Sequence, residues 1–157
     1  MRKITISSPA KDISTSSENW LDLERLAQVE ITSEDAAHPV ELALAPGAGG
    51  GWRAAEPGEQ TIRIIFDHPL NLRHIHLRFD EEEQSRTQEF ELRCLAKGQD
   101  QSREIVRQQY TFSPPSTIQE IEDYRVELKE VTALELKIVP DISGGRGYAS
   151  LAQMRLA

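Results

Sequence analysis

The chain has 157 residues, 38 % apolar and 28 % charged, with 18 Lys and Arg against 26 Asp and Glu for a formal charge of −8 and a pI near 5.0. That suits one soluble domain with a sizeable core. The acidic balance repels phosphate backbones at long range, which argues against nucleic acid and anionic membrane as default partners.

Cys94 is the single cysteine, so no intrachain disulfide can form and a reducing compartment is the simplest fit. The opening MRKITISSPAKDIS has two basic residues but no apolar run behind them, unlike a signal peptide. No stretch is long and apolar enough to span a bilayer. The expectation is a cytoplasmic protein.

In chain order, residues 1–26 read as an arm, partly irregular. RKITIS alternates Ile4 and Ile6 with Lys3 and Thr5, as a short edge strand would, and a Ser-rich loop follows it. NWLDLERL spaces Trp20, Leu23 and Leu26 as on one or two helical turns. The domain proper is expected over 27–157. AQVEIT alternates Ala27, Val29 and Ile31 with polar partners, a strand pattern. Ser33–Pro39 is turn-rich, and the PGAGGG that follows VELAL ends any regular element.

TIRIIFD places Ile62, Ile64 and Phe66 on one face. HPLN reads as a turn. RHIHLRF then directs Ile75, Leu77 and Phe79 to the core and His74, His76 and Arg78 away from it. DEEEQSR is an acidic loop, TQEFELRCLAKG a strand with Phe90, Leu92 and Cys94 on one side, and Gly98 the centre of a hairpin turn. REIVRQQYTF returns as a strand. SPPST stops it, because proline has no ladder donor. Two further strands are expected through Tyr124, Val126 and Leu128 and through Leu134, Leu136 and Ile138. A DISGGRG loop follows, then a last strand in YASLAQMRLA with Leu151, Met154 and Leu156 inward. About eight short antiparallel strands with turns at this spacing predict an all-β jelly-roll sandwich.

The order of these pieces resembles the galactose-binding-domain-like superfamily, the jelly roll of discoidin (coagulation factor 5/8 type C) domains and many carbohydrate-binding modules. VEITSED, VELALAPGAGGGW, EPGEQTIRIIFDHPLNL, IHLRF and the closing LELKIVP and YASLAQMRLA carry the resemblance over Val29–Leu156. WRAAEPG is also similar to the amino-terminal sandwich domain of the scaffold protein of DNA single-strand-break repair, in the same superfamily. The Asp-Gly dipeptide usual before the Trp turn in discoidin domains is missing. That argues against the structural calcium frequent in the family, and no cofactor is expected.

The resemblance implies a non-catalytic module that recognises its ligand with loops at one end of the sandwich, and carbohydrate is the first ligand it suggests. Trp52 or Tyr148 would then offer an apolar face, and Arg53, His38 and Arg146 hydrogen bonds. The simpler reading of Trp52-Arg53 is a plug at the end of the sandwich. His74 and His76, on one face of a strand, and also His68, could share a metal with Asp67 or Glu91. The simpler reading is a solvated polar face, and no metal is expected. Arg86, Glu89, Arg107, Gln108 and Gln109 could form one polar patch for a polyol or peptide. DEEE and EIED read as solvated acidic loops rather than calcium ligands. No Ser-His-Asp or Cys-His motif, P-loop or dinucleotide fingerprint is present, so an enzyme is not expected. A protein-interaction or assembly subunit inside the cell, on the same scaffold, is the alternative. A carbohydrate or a protein is thus the expected partner.

Overall fold

The computed structural model describes residues 19–157 apart from Pro46 and Ala48. The RKITIS strand and the Ser-rich loop lie outside the described residues. The elements in order are α1 (Leu23–Leu26), β1 (Ala27–Ile31), α2 (Glu41–Leu44), β2 (Trp52–Arg53), β3 (Gln60–Asp80), β4 (Arg86–Ala96), β5 (Arg103–Phe112), β6 (Gln119–Val139), β7 (Ser150–Leu151) and β8 (Gln153–Leu156). All strand pairs are antiparallel. The two helices are single turns.

The architecture rests on β3 and β6, each 21 residues long and paired with each other from end to end except around a central irregularity. The first half of β3 lies between β1 and the second half of β6, and β4 and β5 continue that layer. The second half of β3 lies between the first half of β6 and β8. The two halves face each other. Phe79, from the second layer, stacks on Phe90 of β4, in the first, with ring centroids 5.3 Å apart. Ile62, Ile64, Phe66, Ile75, Leu77, Phe79, Phe90, Leu92 and Cys94 are all buried, as their alternation predicts. Each large apolar side chain so buried contributes about 1.5–3 kcal/mol.

Two of the expected breaks are not breaks. HPLN is a continuation of β3, and the strands expected around Tyr124–Leu128 and Leu134–Ile138 are one strand, β6. The register between β3 and β6 shifts three times between Ile65 and His74, and residues 66–69 have no partner on β6. Pro69 therefore sits where no ladder donor is needed, and the strand can bend there without losing a bond. β6 bends opposite. Glu130 adopts φ 51°, its N–H donates to Asn71 Oδ1 at 3.0 Å, and its carbonyl accepts from Lys97 N at 2.8 Å. SPPST does end β5, and Lys97–Ser102 does turn β4 into β5. The closing segment is two short strands: β7 pairs with β2, β8 with β3, and Leu151, Met154 and Leu156 are buried.

EIED is not a loop. It lies within β6, and Glu120 is only 1 % exposed. Its Oε1 accepts from Gln88 Nε2 at 3.0 Å. Burial, and then the neighbouring Glu122, push the Glu120 carboxyl up to about 8, with Gln88 and Arg86 opposing. Between the ordinary pKa of 4.5 and about 8, the folded state holds a proton that the unfolded state has released. Stability contributed by this site therefore falls as pH rises through that window. Glu120→Gln keeps the acceptor for Gln88 and removes the titration. Urea unfolding should find the variant more stable than the parent at pH 8, by roughly 4 kcal/mol, and equal to it near pH 4. Parallel pH profiles for the two proteins would refute this.

Candidate functional site

Three loops and two short strands meet at one end of the sandwich. β2 and β7 pair Trp52 with Leu151 and Arg53 with Ser150. The Asp35–His38 turn docks on β2: Asp35 N donates to Arg53 O at 2.8 Å, and Arg53 N to His38 O at 3.1 Å. The turn is closed by His38 N donating to Asp35 O at 2.8 Å and by a 3.3 Å contact between His38 Nδ1 and Asp35 Oδ2. The Ala37 N–H and His38 hold the Asp35 carboxyl below its usual range.

Gly51 makes this close approach possible. It has φ +67°, and a Cβ there would lie 2.5 Å from the Leu151 carbonyl oxygen and 2.7 Å from Ala152 Cα. Only glycine combines that backbone with that space.

Adjacent residues on a strand point to opposite faces. Trp52 therefore points in. It is 1 % exposed and its indole N–H donates to Ser33 O at 3.0 Å. This corrects the expectation of Trp52 as a stacking face: the ring closes the end of the core and offers no exposed face to stack on. Arg53 points out, with its guanidinium 5.2 Å from the centre of the Tyr148 ring. Tyr148 is 37 % exposed.

Arg53 divides two hollows. One, of about 180 Å³, is lined by His38, Gly50, Trp52, Arg53, Arg78, Asp80 and Ser150–Ala152. The other, of about 410 Å³, is lined by Glu34–Ala36, Arg53–Ala55 and Tyr148. Of the residues expected at the site, Arg53, His38 and Tyr148 come together, and Trp52 forms the floor from below. Arg146 is exposed on the 141–147 loop and lines neither hollow.

Arg78 and Asp80 were missed. They alternate with His74 and His76 on β3, and the bend in that strand brings them to the loop end. Arg78 Nη2 donates to Asp80 Oδ2 at 3.2 Å, and Gln119 Nε2 to Asp80 Oδ1 at 3.1 Å. Arg78 Nε is buried with no hydrogen-bond partner among the described residues.

The histidines of β3 do not lie on a solvated face. His74 and His76 are 1 % and 5 % exposed. Trp20 packs against both rings, at centroid distances of 4.8 and 6.2 Å. Both contact Asp123 Oδ1, His76 through Nδ1 at 3.3 Å and His74 through Nε2. Asp67 and Glu91 are not their neighbours, and no cluster of three metal-binding side chains occurs among the described residues. Glu91 lies with Arg93, Arg107 and Lys137 on the other layer.

The expected polar patch splits across that layer's two faces. Arg107 and Gln109 bond Glu89 on the outer face. Arg86 is buried on the inner face, bonded to Glu81 and Pro140 O and placed over the Phe112 ring. Gln108 stands opposite Phe90, on the inner side.

No protein-family profile matches the sequence, and no curated protein matches it. Solved structures do. The family 32 carbohydrate-binding module of C. perfringens NanJ, solved with galactose, superposes with a TM-score of 0.62 at 10 % identity, over 87 % of this chain and 96 % of that one. A family 32 module from Clostridium perfringens solved with GalNAc-β-1,3-galactose gives 0.63 at 14 % identity, over 88 % and 99 %. The fold is the galactose-binding-like jelly roll. Reduced XRCC1 bound to the DNA polymerase β catalytic domain shares it, at 0.59 and 12 % identity over 84 % and 95 %. The resemblance read from WRAAEPG and its flanks thus holds at the level of fold, as does the all-β sandwich.

Proposed function

We propose that this jelly roll is a non-catalytic carbohydrate-binding module, with its ligand at the loop end between the Asp35–His38 turn, β2, β7 and the end of β3. The observation that carries the reading is Arg53 held over Tyr148 at the shared wall of two open hollows. A guanidinium fixed against a ring keeps its donors in a plane that suits vicinal hydroxyls or a carboxylate. The half-exposed Tyr148 ring supplies apolar surface for a sugar face, and His38, Asp80 and Ser150 add hydrogen-bonding groups. The solved sugar complexes on the same fold support this choice of ligand.

A thermal-shift and calorimetric screen of mono- and disaccharides tests it. A sugar at a hundred times its dissociation constant should add about 2.7 kcal/mol to stability. Arg53→Ala should weaken binding by about tenfold or more with an unchanged melting temperature in the absence of sugar, since Arg53 is exposed. A chelator should change neither. Absence of any sugar-dependent shift in a cooperatively melting protein would overturn the reading and move attention to a protein partner.

A further inference from the structure

The small hollow is lined by two guanidiniums and one carboxylate, although the protein as a whole carries −8. Arg155 of β8 is 6 % exposed. Its guanidinium donates only to carbonyls, Ala43 O at 3.0 Å, Met154 O at 2.9 Å and Ala45 O at 3.0 Å. No carboxylate pairs with it among the described residues. Burial lowers its pKa, and the Arg78 guanidinium lowers it further, so the two charges feel each other. Arg78 has one carboxylate neighbour, Asp80, and leaves its buried Nε unbonded. Arg53 has no carboxylate within ion-pair distance among the described residues. Two guanidiniums, Arg53 and Arg78, therefore line the hollow with one carboxylate, Asp80.

A buried charge without a counter-charge is costly, and folded proteins ordinarily pair it. Of the other carboxylates nearby, Glu34 Oε1 accepts from Val40 N at 2.9 Å, and Asp35 is bound by the Ala37 N–H and His38 and also feels the Arg53 charge, without an ion-pair contact to it. The hollow itself carries two guanidiniums against one carboxylate, and a negative charge on the ligand would balance them. Arginine is suited to it, because its fork matches a carboxylate with two parallel bonds.

We infer that the sugar bound in the hollow between Arg53 and Arg78 carries a carboxylate, a uronic acid residue rather than a neutral hexose. Arg53 and Arg78 would bind the carboxylate directly. This rests on the sugar-binding reading above.

The test compares matched pairs, galactose with galacturonic acid and glucose with glucuronic acid, by calorimetry on the full chain. The methyl ester of galacturonic acid serves as the uncharged control. At low salt one uronate should bind about tenfold more tightly than its neutral partner. The advantage should shrink in high salt and vanish for the methyl ester and for Arg53→Gln. Arg78→Lys should keep part of it, because the charge remains while the fork is lost. Equal binding of the neutral and acidic members would overturn the uronate inference and leave the sugar reading standing. Binding of none of the five compounds would overturn the uronate inference as well, and the wider saccharide screen would then decide the sugar reading separately.

Discussion

Trp52→Ala is expected to cost about 3–5 kcal/mol of folding stability, the range for removing a fully buried large aromatic. The ring is 1 % exposed and its N–H is bonded to Ser33 O. Its removal leaves a cavity beneath β2 and β7 and an unpaired carbonyl in the 32–39 loop. Denaturant unfolding measures the loss. Trp52→Phe should lose less, about 1–2 kcal/mol, because it fills most of the space and forfeits mainly the hydrogen bond. The pair separates this residue's role from that of its neighbour. Arg53→Ala should leave the melting temperature in place and weaken ligand effects, whereas Trp52→Ala should lower it before any ligand is added. A stable Trp52→Ala protein that binds no sugar would reverse the assignment and return Trp52 to the ligand.

Gly51→Ala is expected to cost about 2–4 kcal/mol, through a methyl group forced against backbone in a left-handed conformation. The two atoms it meets, Leu151 O and Ala152 Cα, belong to the chain that closes the sandwich, so no side chain can rotate to relieve the contact. The β2–β7 pair would have to separate, and with it the Arg53–Tyr148 stack. Unfolding in urea measures the first effect, and sugar affinity at a temperature where the variant remains folded measures the second. Gly47, which also has positive φ but nothing within 4 Å, is the control. Gly47→Ala should show only the conformational penalty, about 1 kcal/mol. If the two variants proved equal, the close approach at Gly51 would not be what holds the loop end together.

The strand faces were legible because alternation is a local property. Ile62, Ile64 and Phe66, and then Ile75, Leu77 and Phe79, declare their side without reference to anything else. What covers the opposite side is not local. His74 and His76 alternate with the core residues and so were assigned to solvent. They are buried because Trp20, more than fifty positions earlier, lies over them. The HPLN segment failed for a related reason. Proline marks a position without a donor, and a bend inside a long strand uses that as readily as a turn does. At the candidate site, the segment around Trp52-Arg53 was legible from its Gly-rich approach, but which of two adjacent residues would face the ligand was not. Arg78, Asp80 and Arg155 gave no signal of their own. They reach the loop end through the pairing of β3 with β6 and β8, which only the folded chain reveals.

The long pairing of β3 with β6 also bears on how fast the protein can reach its native state. The partners that meet lie far apart in sequence, from Asp80 and Gln119 at the near end to Gln60 and Ile138 at the far end. Each such contact must close a long loop before it yields any stabilisation. The β4–β5 hairpin is the local structure inside that loop, and β4 is itself a neighbour of β6. Forming the hairpin first shortens the remaining search, and docking it on β6 presents the edge along which β3 can close. Such a high-contact-order route belongs to the millisecond-to-second class. The loop end joins Trp52–Arg53 to Ser150–Leu151, far along the chain, so its pairing too waits on the closure of a long loop.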